Sequence, residues 1–576
     1  MEPYKNEHSN QTKTIRTGAD LLIQSLMDND VDVIFGYPGG SVLPIFDSLY
    51  EMNPSFKNYL CRHEQGLIHA AEGYARVTGK TGVVIATSGP GITNLLTGIA
   101  DAMLDSLPLV VIAGQVSSAV IGTDAFQEAD VIGLTTPISK HNYQIKNVAD
   151  IPRIMNEAFH IASSGRKGPV VIDIPKNISE ALVEGDYSGD FHLAGYQPTT
   201  QPNAGQIERV LEALSQAEKP VLLAGAGVHF AKANEELLTF LDRYPMPVVN
   251  TLQGIGALPG SHRLSLGMGG MHGSYASNQA IINADLLINI GSRFDDRLTG
   301  KLSEFSPHSK VVHIDIDPAE IGKNIKVDIP VVSDAKLALE ALLEADAVQV
   351  DYSDWIDHCL AKKEDNPFWY YNYDQLISPQ WFIEKVSQKT NHQAIVITDV
   401  GQNQMWAAQF YCQDKPLSFV SSGGLGTMGF GLPAAIGAQI GRPDETVALF
   451  VGDGGYQMTI QELATIKQYN LPVKIFILNN ETLGMVRQWQ ELLYDEHYSE
   501  SLFNDGKNPD FVKIADGYGI KGMQISQESI VDEALEEVFA YDGPVVVEVM
   551  IPMKEKVFPM VPAGKGNGEM TGVKPI

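Results

Sequence analysis

Three doubly wound parallel α/β sheets in series is the fold that the sequence predicts, on three observations. Short β-branched and aliphatic runs alternate with amphipathic helical stretches along the whole chain. Many of those runs lead straight into loops marked by Gly or Pro. The 576 residues also exceed what one hydrophobic core organises, and domains of roughly 100–200 residues make three the natural number. Strands that alternate with helices pair in parallel, with helices on both faces.

The first domain is expected over residues 14–185, where VDVIFGYPGG, TGVVIATSGPG, LPLVVIAGQ and GPVVIDIPK read as buried strands ending in turns. A loop-like stretch from about 186 to 203 reads as a linker. KPVLLAGAG, MPVVNTL, ADLLINIGSRF and SKVVHIDID supply a second set over 204–345. Residues from about 346 to 376 lose the pattern and read as a second crossing segment. A third domain over 376–550 carries AIVITDVGQ, ETVALFVGDGG, LPVKIFILNN and GPVVVEVMIP. The remaining tail, 551–576, is rich in Gly and Pro and reads as a disordered end or a mobile cover, the former slightly favoured.

Hydrophobic residues at 44% and charged residues at 19% are ordinary for a globular protein, but the net charge is −29. That surplus excludes nucleic acid and anionic membrane as partners and requires any anionic ligand to find local positive groups. No apolar run reaches the ~18 residues of a membrane span. The polar N-terminus lacks the apolar core of a secretory signal. Cys61, Cys359 and Cys412 form neither a metal-ligand spacing nor a disulfide framework, which fits a cytoplasmic location.

The strongest chemical signal is VALFVGDGGYQMT. Asp453 stands between Gly452 and Gly454 directly after an apolar strand, and glycines let backbone approach a ligand closely. Asn480 follows Asp453 by 27 residues, one helix and one strand later, so both side chains can reach one sheet edge. A carboxylate plus an amide carbonyl suits Mg²⁺, which takes oxygen ligands, several of them from phosphate. The helix after the GDG turn can offset phosphate charge with its free N–H groups. Taken alone, GDG is as well explained as a tight turn; strand, GDG, helix, strand and NN in this order are not. Glu64, at the start of an Ala/Gly-rich helix, is explained equally well by the helix dipole.

These segments resemble the signature shared by pyruvate decarboxylase, transketolase and acetohydroxyacid (acetolactate) synthase. The resemblance to the last covers residues from about 14 to 563, through RHEQGLIHAAEGYAR, FGYPGGSVLP, TDAFQEAD, TTPISKHNY, SSGGLGTMGFGLPAAIGAQ and LGMVRQWQELLY. It implies a pyrimidine-binding first domain, an FAD-binding middle domain and a diphosphate-binding third domain. On it, Asp453, Asn480 and the carbonyl of Thr482 hold Mg²⁺. Gln402, Asn403, Gly426, Met428, Gly452, Gly454, Gly455 and Met485 surround thiamine diphosphate, with Met428 under its bent form. Glu64 activates the aminopyrimidine of the coenzyme. Gly40 offers backbone N–H near the reacting carbon, and Gln127 and Lys140 complete the catalytic set. Phe126 and Trp489 line the substrate path, Trp489 favouring 2-ketobutyrate. Arg166, Gly225, Gly227, Thr251, Leu252, Gly273, Gly291, Arg293, Asp295, Arg297, Asp315 and Asp334 are the implied FAD contacts.

The activity so implied is decarboxylation of pyruvate and transfer of its two-carbon unit to pyruvate or 2-ketobutyrate, giving 2-acetolactate or 2-aceto-2-hydroxybutyrate for branched-chain amino acids. A homodimer or homotetramer with the active site at the subunit interface is implied, with a small regulatory subunit as a further partner. Two positions depart from the family pattern. Asn403 stands where His is common, and Glu481-Thr482 where Gln-His or Gln-Ala is common. Pyruvate oxidase and a flavin-free catabolic acetolactate synthase are the nearest alternatives. The presence of Glu64 disfavours glyoxylate carboligase. Glu64, Asp453 and Asn480 together disfavour a non-catalytic relative.

Overall fold

In a computed structural model, residues 17–183, 187–503 and 508–574 are described. The first residues of the expected first domain and the start of the linker lie outside them. The chain forms two compact units. One holds residues to 71 together with 81–196, and the other holds 72–80 together with 197 onward.

The first unit is built on a six-stranded sheet: β1 (Val33–Gly36), β2 (Lys57–Tyr59), β3 (Gly82–Ala86), β4 (Leu109–Gln115), β5 (His141–Gln144) and β6 (Pro169–Pro175). Its order is β2-β1-β3-β4-β6-β5, parallel throughout. β3, β4 and β6 are buried along their whole length, the unbroken apolar run expected of a strand covered on both faces. The chain reverses its direction of travel between β1 and β3. Ligands of open α/β sheets bind beyond the strand carboxyl ends at such a point.

The second unit carries two sheets. The first contains β7 (Pro220–Ala224), β8 (Val248–Asn250), β9 (Ser265–Met268), β10 (Leu286–Ile290), β11 (Lys310–Asp315) and β12 (Ile329–Val332). Its order is β12-β11-β10-β7-β8-β9, so the switch falls between β7 and β10. Along β7, Leu222 and Ala224 enter one hydrophobic cluster while Val221 and Leu223 enter another, because successive side chains leave opposite faces. The second contains β13 (Ile395–Thr398), β14 (Phe419–Val420), β15 (Val447–Gly452), β16 (Lys474–Asn479), β17 (Lys521–Ile525) and β18 (Val545–Met550). Its order, β14-β13-β15-β16-β18-β17, repeats that of the first unit, with the switch between β13 and β15.

All three sheets fall inside the expected domain limits. Two segments differ from the sequence reading. The stretch after 345 is no mere crossing: helix Ser353–Asp365 completes the core around β7–β12. Trp355 Nε1 donates to the Pro220 carbonyl at 3.0 Å and Tyr352 Oη to Leu214 at 2.6 Å. The helix was hard to read because its apolar residues, Trp355, Ile356 and Cys359, are few and set among charges. The tail is likewise not a loose end. Val561 N donates to the Met271 carbonyl at 2.8 Å, Asn567 Nδ2 to Leu298 at 2.9 Å, and Trp369 Nε1 to Gly572 at 2.8 Å.

His229 and His272 are buried in the second unit, and burial holds both imidazoles down at about 4 from an ordinary 6.5. Between those values the unfolded chain binds protons that the folded chain cannot, so stability rises with pH through this window and is lost on acidification. We expect the thermal midpoint to fall as pH drops from about 7 to about 5. A His229→Gln/His272→Gln variant should show a shallower acid limb by calorimetry; an unchanged limb would assign the loss to other groups.

Candidate functional site

Asp453 directly follows β15 and opens helix Asp453–Met458. The side chain is 1% exposed, and burial pushes its carboxyl up to about 7, against a 2.6 Å hydrogen bond from Asn508 to Oδ2. The nearby charge of Glu481 raises it further. Oδ1 has no partner among the described residues. A buried carboxylate oxygen in this state calls for a cation.

The Asn pair after β16 divides its work. Asn479 Nδ2 donates to Glu548 at 2.7 Å, and its Oδ1 accepts from the N–H of Glu481, whose φ of 55° turns the chain. Asn480 Nδ2 donates to Gln402 Oε1 at 3.2 Å, leaving its Oδ1 as the atom to turn toward a cation. Thr482 commits its hydroxyl to the Ser501 carbonyl at 2.6 Å, so its own carbonyl is the group it can offer a metal. This set of hard oxygens fits Mg²⁺.

A cradle fits the diphosphate beside it. Gly401, at φ 139°, and Gly452 both border the amide of Asn403: a Cβ on either would lie 3.5 Å from Asn403 Nδ2. Asn403 Oδ1 is buried without a partner among the described residues. Helix Asp453–Met458 has only 6 residues, so its first N–H groups matter here rather than a macrodipole.

The loop carrying Gly426 and Met428 is pinned from below. Ser422 Oγ accepts the N–H groups of Gly426 and Thr427 at 3.0 and 2.8 Å, and buried Asp399 accepts those of Gly429 and Gly431. A Cβ on Gly454 would lie 3.1 Å from Met428 Cε, and one on Gly455 would strike Asp399 at 2.5 Å. Gln402, Asn403, Gly426, Met428, Gly452, Asp453, Gly454, Gly455, Asn480 and Thr482 thus gather at the β13/β15 switch. Met485 packs on the neighbouring core.

Apart from Arg166, the implied FAD residues lie beyond the carboxyl ends of β7–β12. The β7/β10 switch is backbone against backbone: Gly225 N donates to Ile290 at 2.9 Å and Gly227 N to Gly291 at 3.0 Å. A Cβ on Gly291, at φ 65°, would lie 2.4 Å from Gly227 Cα, and one on Gly273 would strike Gly269 at 2.6 Å. This bare crevice fits a dinucleotide. Asp295 and Asp334 instead cap the helices Asp296–Thr299 and Ala335–Glu344, and Thr251 Oγ1 accepts from Gly254 N at 3.1 Å. Asp315 ends β11 and accepts from Asp317 N at 2.8 Å. Leu252, Arg293 and the exposed Arg297 follow β8 and β10.

In the first unit, Glu64 opens helix Glu64–Thr78, and its Oε2 accepts from Asn94 Nδ2 at 3.0 Å. Gly40 is exposed with open space where a Cβ would stand; Gly39 touches Thr87, whose Oγ1 lies 2.9 Å from Ser41 Oγ across the β1/β3 switch. Gln127, at φ 60°, packs against Gly89, and the neighbouring Phe126 is 88% exposed.

Three thiamine pyrophosphate enzyme family models match the chain: the N-terminal TPP binding domain over residues 16–134, the central domain over 207–342 and the C-terminal TPP binding domain over 399–549. The acetolactate synthase large subunit of Lactococcus lactis is 47% identical over 557 residues, covering 97% of this chain and 96% of that one. The acetolactate synthase large subunit of Corynebacterium glutamicum is 46% identical, covering 97% and 91%. The acetolactate synthase isozyme 2 large subunit of Escherichia coli is 47% identical, covering 96% and 99%. This chain belongs to the acetolactate synthase large-subunit family.

Two residues given roles by the family resemblance stand on the amino edge of the first sheet. Lys140 precedes β5, at the amino edge of its parallel sheet, whereas Gly40, Gln127 and Phe126 lie beyond the carboxyl ends. Its ammonium donates to the carbonyls of Ile161 and Ser164 and to Tyr196 Oη, the latter two at 2.7 Å, and so ties helix Ile151–Ser163 down. Arg166 precedes β6 on the same amino edge, with Nε donating to Ser106 at 3.1 Å. Lys176, 3.8 Å from Glu180, directly follows the carboxyl end of β6, on the same edge as Gly40, and sequence reasoning did not name it. The strand end GPVVIDIPK carried the signal, because the residue after such a strand faces the ligand side. Trp489 is half-buried on helix Gly484–Leu493, and Arg487 beside it is fully buried.

Asp453→Ala should remove the unmatched carboxylate oxygen that follows β15. Titration of Mg²⁺ by calorimetry in the presence of thiamine diphosphate should show binding weakened by about 100-fold or more. Binding within a few-fold of the original would remove Asp453 from the metal site.

Proposed function

We propose that this chain decarboxylates pyruvate and joins the resulting two-carbon unit to a second pyruvate or to 2-ketobutyrate, using thiamine diphosphate anchored by Mg²⁺. The observation that carries this reading is the unmatched oxygen of Asp453 beside an Asn480 whose amide is already turned by Gln402. Thiamine diphosphate, when bound, supplies a nucleophilic carbon and an electron sink for decarboxylation.

The residues of the chain do the rest. Asp453, Asn480 and the Thr482 carbonyl hold the metal, and Asn403 donates to the diphosphate in place of the commoner His. Glu64 keeps Oε2 on Asn94 and presents Oε1 to the coenzyme's pyrimidine, where it shares a proton. Met428 supports the coenzyme from the pinned loop. Gly40 leaves backbone N–H accessible to a developing oxyanion. Lys176 offers a positive charge to a 2-ketoacid carboxylate on the same sheet edge, and Phe126, Gln127 and Trp489 shape the path of the second substrate. FAD in the β7/β10 crevice has a structural role, without net electron transfer. We infer a homodimer or homotetramer in the cytoplasm, with a separate small regulatory subunit as partner.

The purified chain, supplied with pyruvate, 2-ketobutyrate, thiamine diphosphate and Mg²⁺, should make acetohydroxybutyrate and acetolactate by mass analysis, only when FAD is present and without oxygen use. Acetate or acetyl phosphate with oxygen consumption would identify an oxidase instead. Glu64→Gln should lower kcat by about 10²–10⁴-fold, the usual worth of a proton-transfer group. Lys176→Met should raise KM for pyruvate more than it lowers kcat; an unchanged KM would leave the carboxylate without this partner.

A further inference from the structure

Gln402 begins helix Gln402–Phe410 at the β13/β15 switch and is 4% exposed. Its amide makes three bonds within the chain. Oε1 accepts from Asn480 Nδ2 at 3.2 Å, and Nε2 donates to Gln488 Oε1 and to the main-chain carbonyl of Glu555, both at 2.9 Å. Two acceptors on the Nε2 side fix which way the amide faces, since the reversed amide would set oxygen against oxygen twice. The Gln402 oxygen is thereby aimed at Asn480, and Asn480 must present its NH₂ there. Gly484 seals the pair: a Cβ on it would lie 2.1 Å from Gln402 Oε1 and 2.7 Å from Asn480 Nδ2.

The far end of this chain of bonds is the tail. The Glu555 carbonyl also accepts from Arg487 Nη2 at 2.9 Å. The Glu555 carboxylate, 6% exposed, accepts from Gln380 Nε2 at 3.1 Å and bonds Tyr373 Oη. Two residues on, Val557 N donates to Gln488 Oε1 at 2.9 Å while Gln488 Nε2 donates to the Val557 carbonyl. The register of the tail at 555–557 therefore sets Gln402 and Gln488 together.

We propose that Gln402 is a positioning residue that turns the Asn480 carbonyl toward the metal, and that the main chain of the tail at Glu555 fixes Gln402 in that orientation. The tail is then part of the metal site although it supplies no ligand. Partners of this kind act by fixing the orientation of a ligand, and their loss typically weakens metal binding by about 10–100-fold. The inference rests on the reading of Asp453 and Asn480 as cation ligands.

The test is Mg²⁺ titration of the full-length, metal-stripped protein at saturating thiamine diphosphate by calorimetry, with Mn²⁺ electron paramagnetic resonance as a second readout. Gln402→Met, which keeps length and volume, should weaken Mg²⁺ by about 10–100-fold and alter the Mn²⁺ spectrum, with the metal-free thermal midpoint little changed. Glu555→Ala leaves Gln402 chemically intact and should weaken Mg²⁺ in the same direction by a smaller factor. Glu555→Gln, which keeps an oxygen for Gln380 and offers an amide N–H that Tyr373 Oη can accept, should restore it. Unchanged Mg²⁺ affinity in Gln402→Met overturns the proposal. If that variant does not fold, unchanged affinity in Glu555→Ala overturns it. Absence of Mg²⁺ binding by the unaltered protein would instead refute the cation site itself, so the two failures are distinct.

Discussion

A carboxylate taken out of water must be protonated or matched by a cation, and Asp453 is placed where that demand is acute. Its burial at the end of β15 costs several kcal/mol if the charge is unmatched. Only part of this is met by Asn508 and the Gly454 N–H, and Glu481 makes it worse. The surroundings then make sense as the means of keeping the carboxylate oriented and dry. Asp399 ties the 422–431 loop beneath it, Gly454 and Gly455 let Met428 and Asp399 come close, and Asn479 takes the structural bonds so that Asn480 is left for the metal.

The first and third sheets share one strand order, with the switch between the first and third strands of each set. That topology opens a crevice at the carboxyl ends of the two strands flanking the switch, whatever residues fill it. The first sheet fills it with bare backbone, Gly39 against Thr87 and Gly40 facing open space, and with Glu64 nearby on the same edge. The third fills it with charge and amides. The middle sheet uses the other doubly wound order and lines its switch with Gly225, Gly227 and Gly291, the composition that an extended pyrophosphate requires. One folding rule thus yields three differently equipped sites, and side chains at the strand ends decide what each can hold.

The three-sheet architecture and the cluster of residues at the β13/β15 switch were legible in the sequence because they are local. Buried parallel strands announce themselves as unbroken aliphatic runs, and the glycines flanking Asp453 sit at a strand end that can be read directly. Lys140 and Lys176 show where such reading stops. Both stand next to a strand, but one precedes β5 and the other follows β6, so parallel pairing sends them to opposite edges. Deciding between them requires strand direction rather than residue type. Gln402 was visible as a residue near the cofactor, but its part in orienting Asn480 depends on Glu555, 153 positions away. The tail misled for a related reason. Gly- and Pro-rich segments lack periodicity whether or not they are ordered, and this one is held by main-chain bonds to side chains such as Gln402, Gln488 and Arg487 that composition does not reveal.

With a net charge of −29, the field of the whole chain opposes the anions that the proposed reaction needs. Beyond a Debye length of about 8–10 Å that field is screened, so binding depends on what lies within one side chain's reach. On the proposed reading, the third domain meets the need with a divalent cation and neutral amide donors such as Asn403, and the first unit with exposed backbone at Gly40 and one lysine, Lys176. Neutral donors and a bound metal hold an anion without requiring a basic surface. The acidic exterior and the anion-binding interior are therefore compatible, because each is set by charges that the other does not reach.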